Sequence, residues 1–276
     1  MLRIYVDALY LARKQTAGVA EATLRMVDDE RTAQTREDGV LNESVVPERK
    51  REGAMRFQRA RKKEQIESRR QEILCAAEQL FNEGGLDNVT FSHIAKQVSF
   101  TRQTIYTYYQ TREEVLLDLL GQRLEHFYQS LEAMFPGDEL LRRRAFCQRL
   151  AHHFIEHRET LRLFSLRHTV LEENVRYENL VAFNRIMLQV FPTVKHILRR
   201  QCPASSDETF DTLTFTLIPY FASIYPILEP HPNQLKAICE AIGHLDNPPT
   251  SEEVLVASLE LMTSALTFAA DTDEKK

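Results

Sequence analysis

Apolar residues recur at helical spacing through most of this chain, and the runs are cut at a few sharply marked points. Strict two-residue alternation is scarce, and only 8 Gly and 10 Pro interrupt 276 residues, so the pattern predicts an all-α fold. A long helix is expected over 56–82, with Ile73, Ala77, Leu80 and Phe81 on one face and the Gly84-Gly85 pair as its stop. Thr90 is placed to cap a short helix that ends near Val98. A second short helix starts near Thr101 and runs to about Tyr109. Thr111, with Glu114 three residues on, has the capping-box pattern. It opens a helix to about Met134, which Pro136-Gly137-Asp138 breaks. Further helices are expected over 139–157, 159–173, 177–200, 206–228, 232–243 and 251–269, with kinks at Pro192 and Pro219.

The stretch from Thr90 to Arg112 carries the functional signal. Two short helices joined by a tight turn, the second exposed, make a helix-turn-helix. Ile94, Ala95 and Val98 are expected to face inward, with Phe100 and Ile105 closing a three-helix core. That leaves Thr101, Arg102, Gln103, Thr104, Tyr106 and Thr107 outward. Hydroxyls, a guanidinium and an amide suit base edges and phosphates of double-stranded DNA. Thr90, Tyr108 and Arg112 join them as candidate DNA contacts, Thr90 and Arg112 because each sits at a helix N-terminus. Charge points the same way. Between Lys50 and Arg112 stand 12 Lys and Arg against 7 Asp and Glu, a basic segment in a chain of net charge −5. The basic run from Arg49 to Arg70 reads either as an arm on the phosphates or as a solvated helix start.

The run from Ile94 to Val115, with Thr104-Ile105-Tyr106, the aromatic pair Tyr108-Tyr109 and Glu113-Glu114, resembles the DNA-binding domain of the TetR (tetracycline-repressor) family. Ile73 to Gly85 is similar to that family's first helix and turn. Ser99 stands where the family usually has Gly, Phe100 where it has Val, and Gln103 where it has Gly. Ser99 is therefore expected to sit in a strained turn, and the operator sequence does not carry over from any relative. The resemblance implies an N-terminal three-helix DNA-binding domain and a C-terminal helical ligand-binding and dimerisation domain. It further implies a homodimer, with 206–228 and 251–269 as an apolar seam, and a small-molecule effector held somewhere in 120–230. Phe127, Phe154, Phe164, Phe183 and Tyr220 are the pocket candidates, with Phe146, Phe221 and Tyr225 behind them. The expected layout is a poorly structured N-terminal extension over 1–54, a DNA-binding domain over 55–120, a regulatory and dimerisation domain over 121–270 and a disordered tail over 271–276. The implied function is a sequence-specific transcriptional regulator, a repressor by preference, controlled by a small molecule or partner bound in the C-terminal domain. The competing reading is a co-regulator that works through protein contacts without sequence-specific DNA binding.

Other motifs point nowhere else. His152, His153 and His157 lack a carboxylate or thiol at a completing spacing, so no metal is expected. Glu172-Glu173-Asn174 reads as a helix end. There is no glycine-rich phosphate loop, no G-x-S-x-G and no H-E-x-x-H, hence no expected enzyme and no cofactor. Cys75, Cys147, Cys202 and Cys239 form no C-x-x-C pair and read as reduced thiols. No apolar stretch is long enough to span a bilayer, and Met1 to Asp7 does not read as a signal peptide, so a cytoplasmic location is the default. Residues 5–26 read as a weak helix, and Met55 as a candidate natural start.

Overall fold

The computed structural model describes residues 46–137, 139–243 and 249–272, with side chains from residue 64 onward. The expected helix over 5–26 and the last four residues of the expected tail lie outside the described residues. Two compact units divide the chain, 1–62 and 63–276, and the first helix runs across the boundary between them. Among the described residues, the remaining helices belong to the second unit.

α1 spans Val46–Gly84, starting ten residues earlier than periodicity suggests. Pro47 lies in its first turn, where a missing N–H costs nothing. Ile73, Leu74, Ala77 and Phe81 are buried along one face. Gly85 then adopts φ +70°, and its amide donates to the Phe81 carbonyl at 2.8 Å. A Cβ on Gly85 would also stand 3.3 Å from the Arg162 guanidinium, which lies over the Phe81 ring. A single 3-10 turn, Leu86–Asn88, leads to α2, Phe91–Gln97. The Thr90 hydroxyl caps α2 by accepting from the His93 amide at 3.1 Å. α3 is short, Arg102–Ile105. α4, Arg112–Ala133, is the spine of the second unit.

Beyond α4 come α5 (Arg143–Glu156), α6 (Arg158–Ser165) and a π-helical segment, Arg167–Leu171. Then follow α7 (Tyr177–Met187), α8 (Val190–Gln201), α9 (Asp207–Ser223) and α10 (Tyr225–Leu228). α11 (Pro232–Ile242), α12 (Ser251–Met262) and α13 (Ala269–Thr272) close the described chain. α7 and α6 pack on α4, α9 packs on α8 and α6, and α12 packs on α5. Gly121 admits α7 to the spine: a Cβ there would stand 3.0 Å from the Ile186 Cδ1. Among the described residues every regular element is helical. None of these helices is long and apolar enough to cross a membrane.

Three expected helices are divided. The one over 177–200 breaks at Leu188-Gln189, which puts Pro192 in the first turn of α8, where it needs no kink. The one over 206–228 breaks after Ser223, so that Pro226 starts α10 rather than interrupting a helix. The one over 159–173 ends at Ser165 and continues as the wider π segment.

Candidate nucleic-acid interface

α3 rides on a core of Ile73, Ala77, Phe81, Val89, Phe91 and Ile94, into which Ile105 inserts fully buried. Because Ile105 is the only inward residue of α3, its other side chains face out. Thr101, Arg102 and Gln103 are exposed and Thr104 is half-buried. The Thr101 and Thr104 hydroxyls lie 3.2 Å apart. Tyr106 is 44 % exposed although its ring packs edge-on against Phe91 at 4.9 Å, which fixes the direction of its hydroxyl. Arg102 donates to that hydroxyl at 2.9 Å, and its guanidinium lies 5.6 Å from the ring centre. The pair is preset on the outer surface with both polar ends in water. Thr107 is exposed and returns its hydroxyl to the Thr104 carbonyl at 2.7 Å.

α3 is shorter than the expected helix to Tyr109. After Ile105 the chain tightens into a turn that swings Tyr109 inward, where its hydroxyl donates to Asp118 at 2.5 Å. Asp118 also accepts from Arg70 Nε at 2.7 Å, so one carboxylate joins α1, the end of the recognition element and α4. Burial and this anionic neighbour push the Tyr109 phenol far above its ordinary range.

Thr90 and Arg112 are spent partly on the fold. The Thr90 hydroxyl is the cap of α2. Arg112 donates to Glu113 at 2.9 Å and to the Leu86 carbonyl at 3.3 Å. Tyr108 is half-buried. Phe100, expected inside, is half-buried and packs against the core, with the Arg69 guanidinium 5.8 Å from its ring centre. At the departure from the family pattern, the Ser99 amide and hydroxyl both donate to Glu72, at 3.2 and 2.8 Å. A glycine there would keep only the first of these bonds.

Sequence reasoning missed the anchor behind this surface. Glu114, expected as a capping residue, is 1 % exposed at its side chain and turns to a distant partner. Thr111 caps α4 by accepting from the Glu114 amide at 3.2 Å. The Glu114 carboxylate accepts from the Gln110 amide at 2.8 Å and from Arg176 Nε at 2.6 Å and Nη2 at 2.9 Å. Arg176 reaches on to the Tyr108 carbonyl at 3.3 Å, and the Thr111 hydroxyl donates to the Asn174 carbonyl at 2.8 Å. Burial works to raise the Glu114 pKa, but the guanidinium and amides outweigh it and hold it below the usual range. The segment 174–176 thus grips the end of the recognition element. No local motif predicts a pair 62 residues apart.

The C-terminal domain holds a cavity of about 80 Å³ bounded by α4, α5, α6, α7, α8, α9 and α12. Phe127, Phe154 and Phe164 line it, together with Phe146 and Phe221. Phe183 does not; it lines a separate cleft of about 300 Å³ with Tyr109, Glu114 and Asp118. Tyr220 lines neither and is half-buried against the core. The His153 and His157 rings lie 4.5 Å apart, tilted, with His126 5.6 Å from His157, but among the described residues no group is arranged to hold a metal ion. Burial lowers the His153 pKa to about 4, so it is neutral in the fold.

An exposed polar helix on a trihelical base, joined by a long spine to a second helical domain, defines a helix-turn-helix regulator of transcription. Two adjacent family models match: bacterial regulatory proteins, tetR family, over residues 73–119, and tetracyclin repressor-like, C-terminal domain, over 121–249. The chain belongs to the TetR family of DNA-binding transcriptional regulators and is not an enzyme. Among solved structures it is similar to the regulator SCO7222, a TetR from Streptomyces coelicolor: 16 % identity, 70 % of this chain and 94 % of that one, TM-score 0.50. It is also similar to a TetR/AcrR family regulator from Thermobifida fusca: 16 % identity, 72 % and 98 % coverage, TM-score 0.47. A third likeness is SmeT, the repressor of the Stenotrophomonas maltophilia multidrug efflux pump SmeDEF: 20 % identity, 71 % and 89 % coverage, TM-score 0.43. No curated protein sequence matches the chain.

Proposed function

We propose that this regulator is a homodimeric repressor. Each subunit places α3 in a major groove, and the affinity of the pair is controlled by a small molecule in the C-terminal domain. The observation that carries the DNA reading is the open face of α3: Thr101, Arg102, Gln103 and Tyr106 project into solvent from a rigid, fully buried anchor at Ile105. Arg102 suits a bidentate contact to guanine and Gln103 to adenine, while Tyr106, Thr104 and Thr107 suit phosphates or a thymine methyl. Thr90, Tyr108 and Arg112 border this face and hold the backbone register.

Dimerisation is supported by the outer faces of α9 and α12. Thr212, Thr216, Pro219 and Ser223 on α9 and Ala257 and Leu261 on α12 are exposed, Leu261 to 76 %. These small and apolar groups suit close helix approach across a two-fold axis. Two recognition elements on one rigid dimer bind cooperatively, so a modest change in their spacing is worth several kcal/mol.

Genome-wide footprinting with the full chain, followed by gel shifts on the enriched sites, tests this. Paired half-sites on one face of the duplex are expected. Arg102→Ala should relax specificity at one position, and Tyr106→Ala should weaken binding to every site. Salt-sensitive binding without a preferred sequence, or no effect of either variant, would refute the assignment and favour the co-regulator reading.

A further inference from the structure

The chemistry of the cavity wall restricts what it can hold. Phe127, Phe154, Phe164, Phe221, Leu198 and Leu217 dominate it, and among the described residues no charged side chain lines it. Only Tyr128 and Thr263 bring a hydroxyl. The Thr263 hydroxyl already donates to the Leu259 carbonyl at 2.7 Å. Behind the wall, the Arg167 guanidinium donates to Glu172 at 2.6 Å and lies over the Phe164 and Phe183 rings. His153, packed at 4.4 Å on Phe127, is neutral. A charged ligand would therefore lose its hydration and find no counter-charge, which no hydrophobic contact offsets.

The shape of the wall adds a preference. Phe221 stands edge-to-face with Phe127, Phe154 and Phe164 at centre distances of 5.1, 5.5 and 5.0 Å. An aromatic guest can join such a cluster edge-on, gaining contacts an alkyl chain does not make. The cavity of about 80 Å³ is smaller than the roughly 150 Å³ that admits benzene in an engineered apolar core. A single ring thus enters by displacing a wall group, and Val190, Leu217 and Ile218 are the half-buried ones.

We infer that this cavity binds an uncharged single-ring aromatic compound and rejects its charged analogues. The regulatory meaning of this rests on the effector reading above; the ligand class rests on the wall alone.

Calorimetric titration of the full-length protein with ethylbenzene, benzoate and benzylammonium tests it. Ethylbenzene should bind saturably, at least about a hundredfold tighter than either ion, a ratio equivalent to about 2.7 kcal/mol. Leu217→Trp, which fills the cavity, should weaken ethylbenzene binding at least about tenfold, by the scale of a few lost aromatic contacts. Should that variant not fold, xenon soaked into crystals of the unaltered protein should occupy the space between Phe127, Phe154 and Phe221, as it does other dry apolar cavities. Equal or tighter binding of an ion overturns the inference, as does ethylbenzene binding that survives Leu217→Trp or xenon found only elsewhere. DNA release in the same titration is a separate readout. Binding of ethylbenzene without DNA release overturns effector control and leaves the ligand class standing. Release by a charged analogue alone overturns the ligand class.

Discussion

Replacing Glu114 by Gln isolates the anchor between the recognition element and the C-terminal domain. One carboxylate oxygen accepts from the Arg176 amide at 3.2 Å and Nε at 2.6 Å; the other accepts from the Gln110 amide at 2.8 Å and from Arg176 Nη2 at 2.9 Å. A carboxamide has one oxygen and one NH2. Whichever way it turns, the NH2 faces two donors, so two of the four bonds are lost. Bonds to a charged group are worth about 1.5–3 kcal/mol each. Arg176 is 41 % exposed, so screening holds its share to the lower end. The expected cost is about 2–4 kcal/mol, or roughly 5–15 °C in Tm for a unit of this size. Thermal unfolding measures it, with amide exchange at 106–111 reporting local loosening. The pH dependence has a definite sign. The folded pKa of Glu114 is depressed below its ordinary 4.5, so its contribution is complete above that value and is lost as pH falls through the lower folded one. The deficit of the variant should therefore shrink as pH falls below 4.5. A Tm within about 2 °C of the parent at pH 7 would refute the reasoning, since by the same scale that leaves under ~1 kcal/mol for the anchor.

His153 is neutral in the fold with a pKa of about 4 against 6.5 unfolded, so stability should be level above pH 6.5 and decline toward pH 4. The slope, about 1.4 kcal/mol per pH unit, should largely vanish from urea titrations of His153→Gln; an unchanged slope would count against it. Phe221→Ala empties the centre of the aromatic cluster and should cost about 3–5 kcal/mol in a denaturant titration, while admitting larger aromatic guests. Removing the basic residues between Arg49 and Lys63 should weaken binding to all DNA alike and flatten its salt dependence in gel shifts; a sequence-selective loss would disprove a phosphate role.

Most helix ends were legible because they are local. Gly84-Gly85, Thr90 and Thr111 each act on the next few residues, and each marks a boundary in the structure. The start of α1 was hidden because Gly53 and a nearly continuous polar run blur the periodicity there. The end of α3 was misjudged for a different reason. Tyr108-Tyr109 continues a helical pattern in sequence, yet the bond from Tyr109 to Asp118 on the next helix turns the chain inward four residues early.

The pocket divides along the same line. Aromatic residues at helical spacing identify which faces turn inward, and Phe127, Phe154 and Phe164 do meet at one cavity. Spacing says nothing about which inward faces meet, so Phe183 falls in another cleft and Phe221 stands at the centre. The helical class, the outward set on α3 and the family could all be read from the order of residues, because period and capping are properties of near neighbours in the chain. That Arg176 holds Glu114, and that the cavity wall is free of charge among the described residues, emerged only from three-dimensional packing. Both depend on side chains far apart in the chain, brought together by burial of apolar faces that are chemically interchangeable.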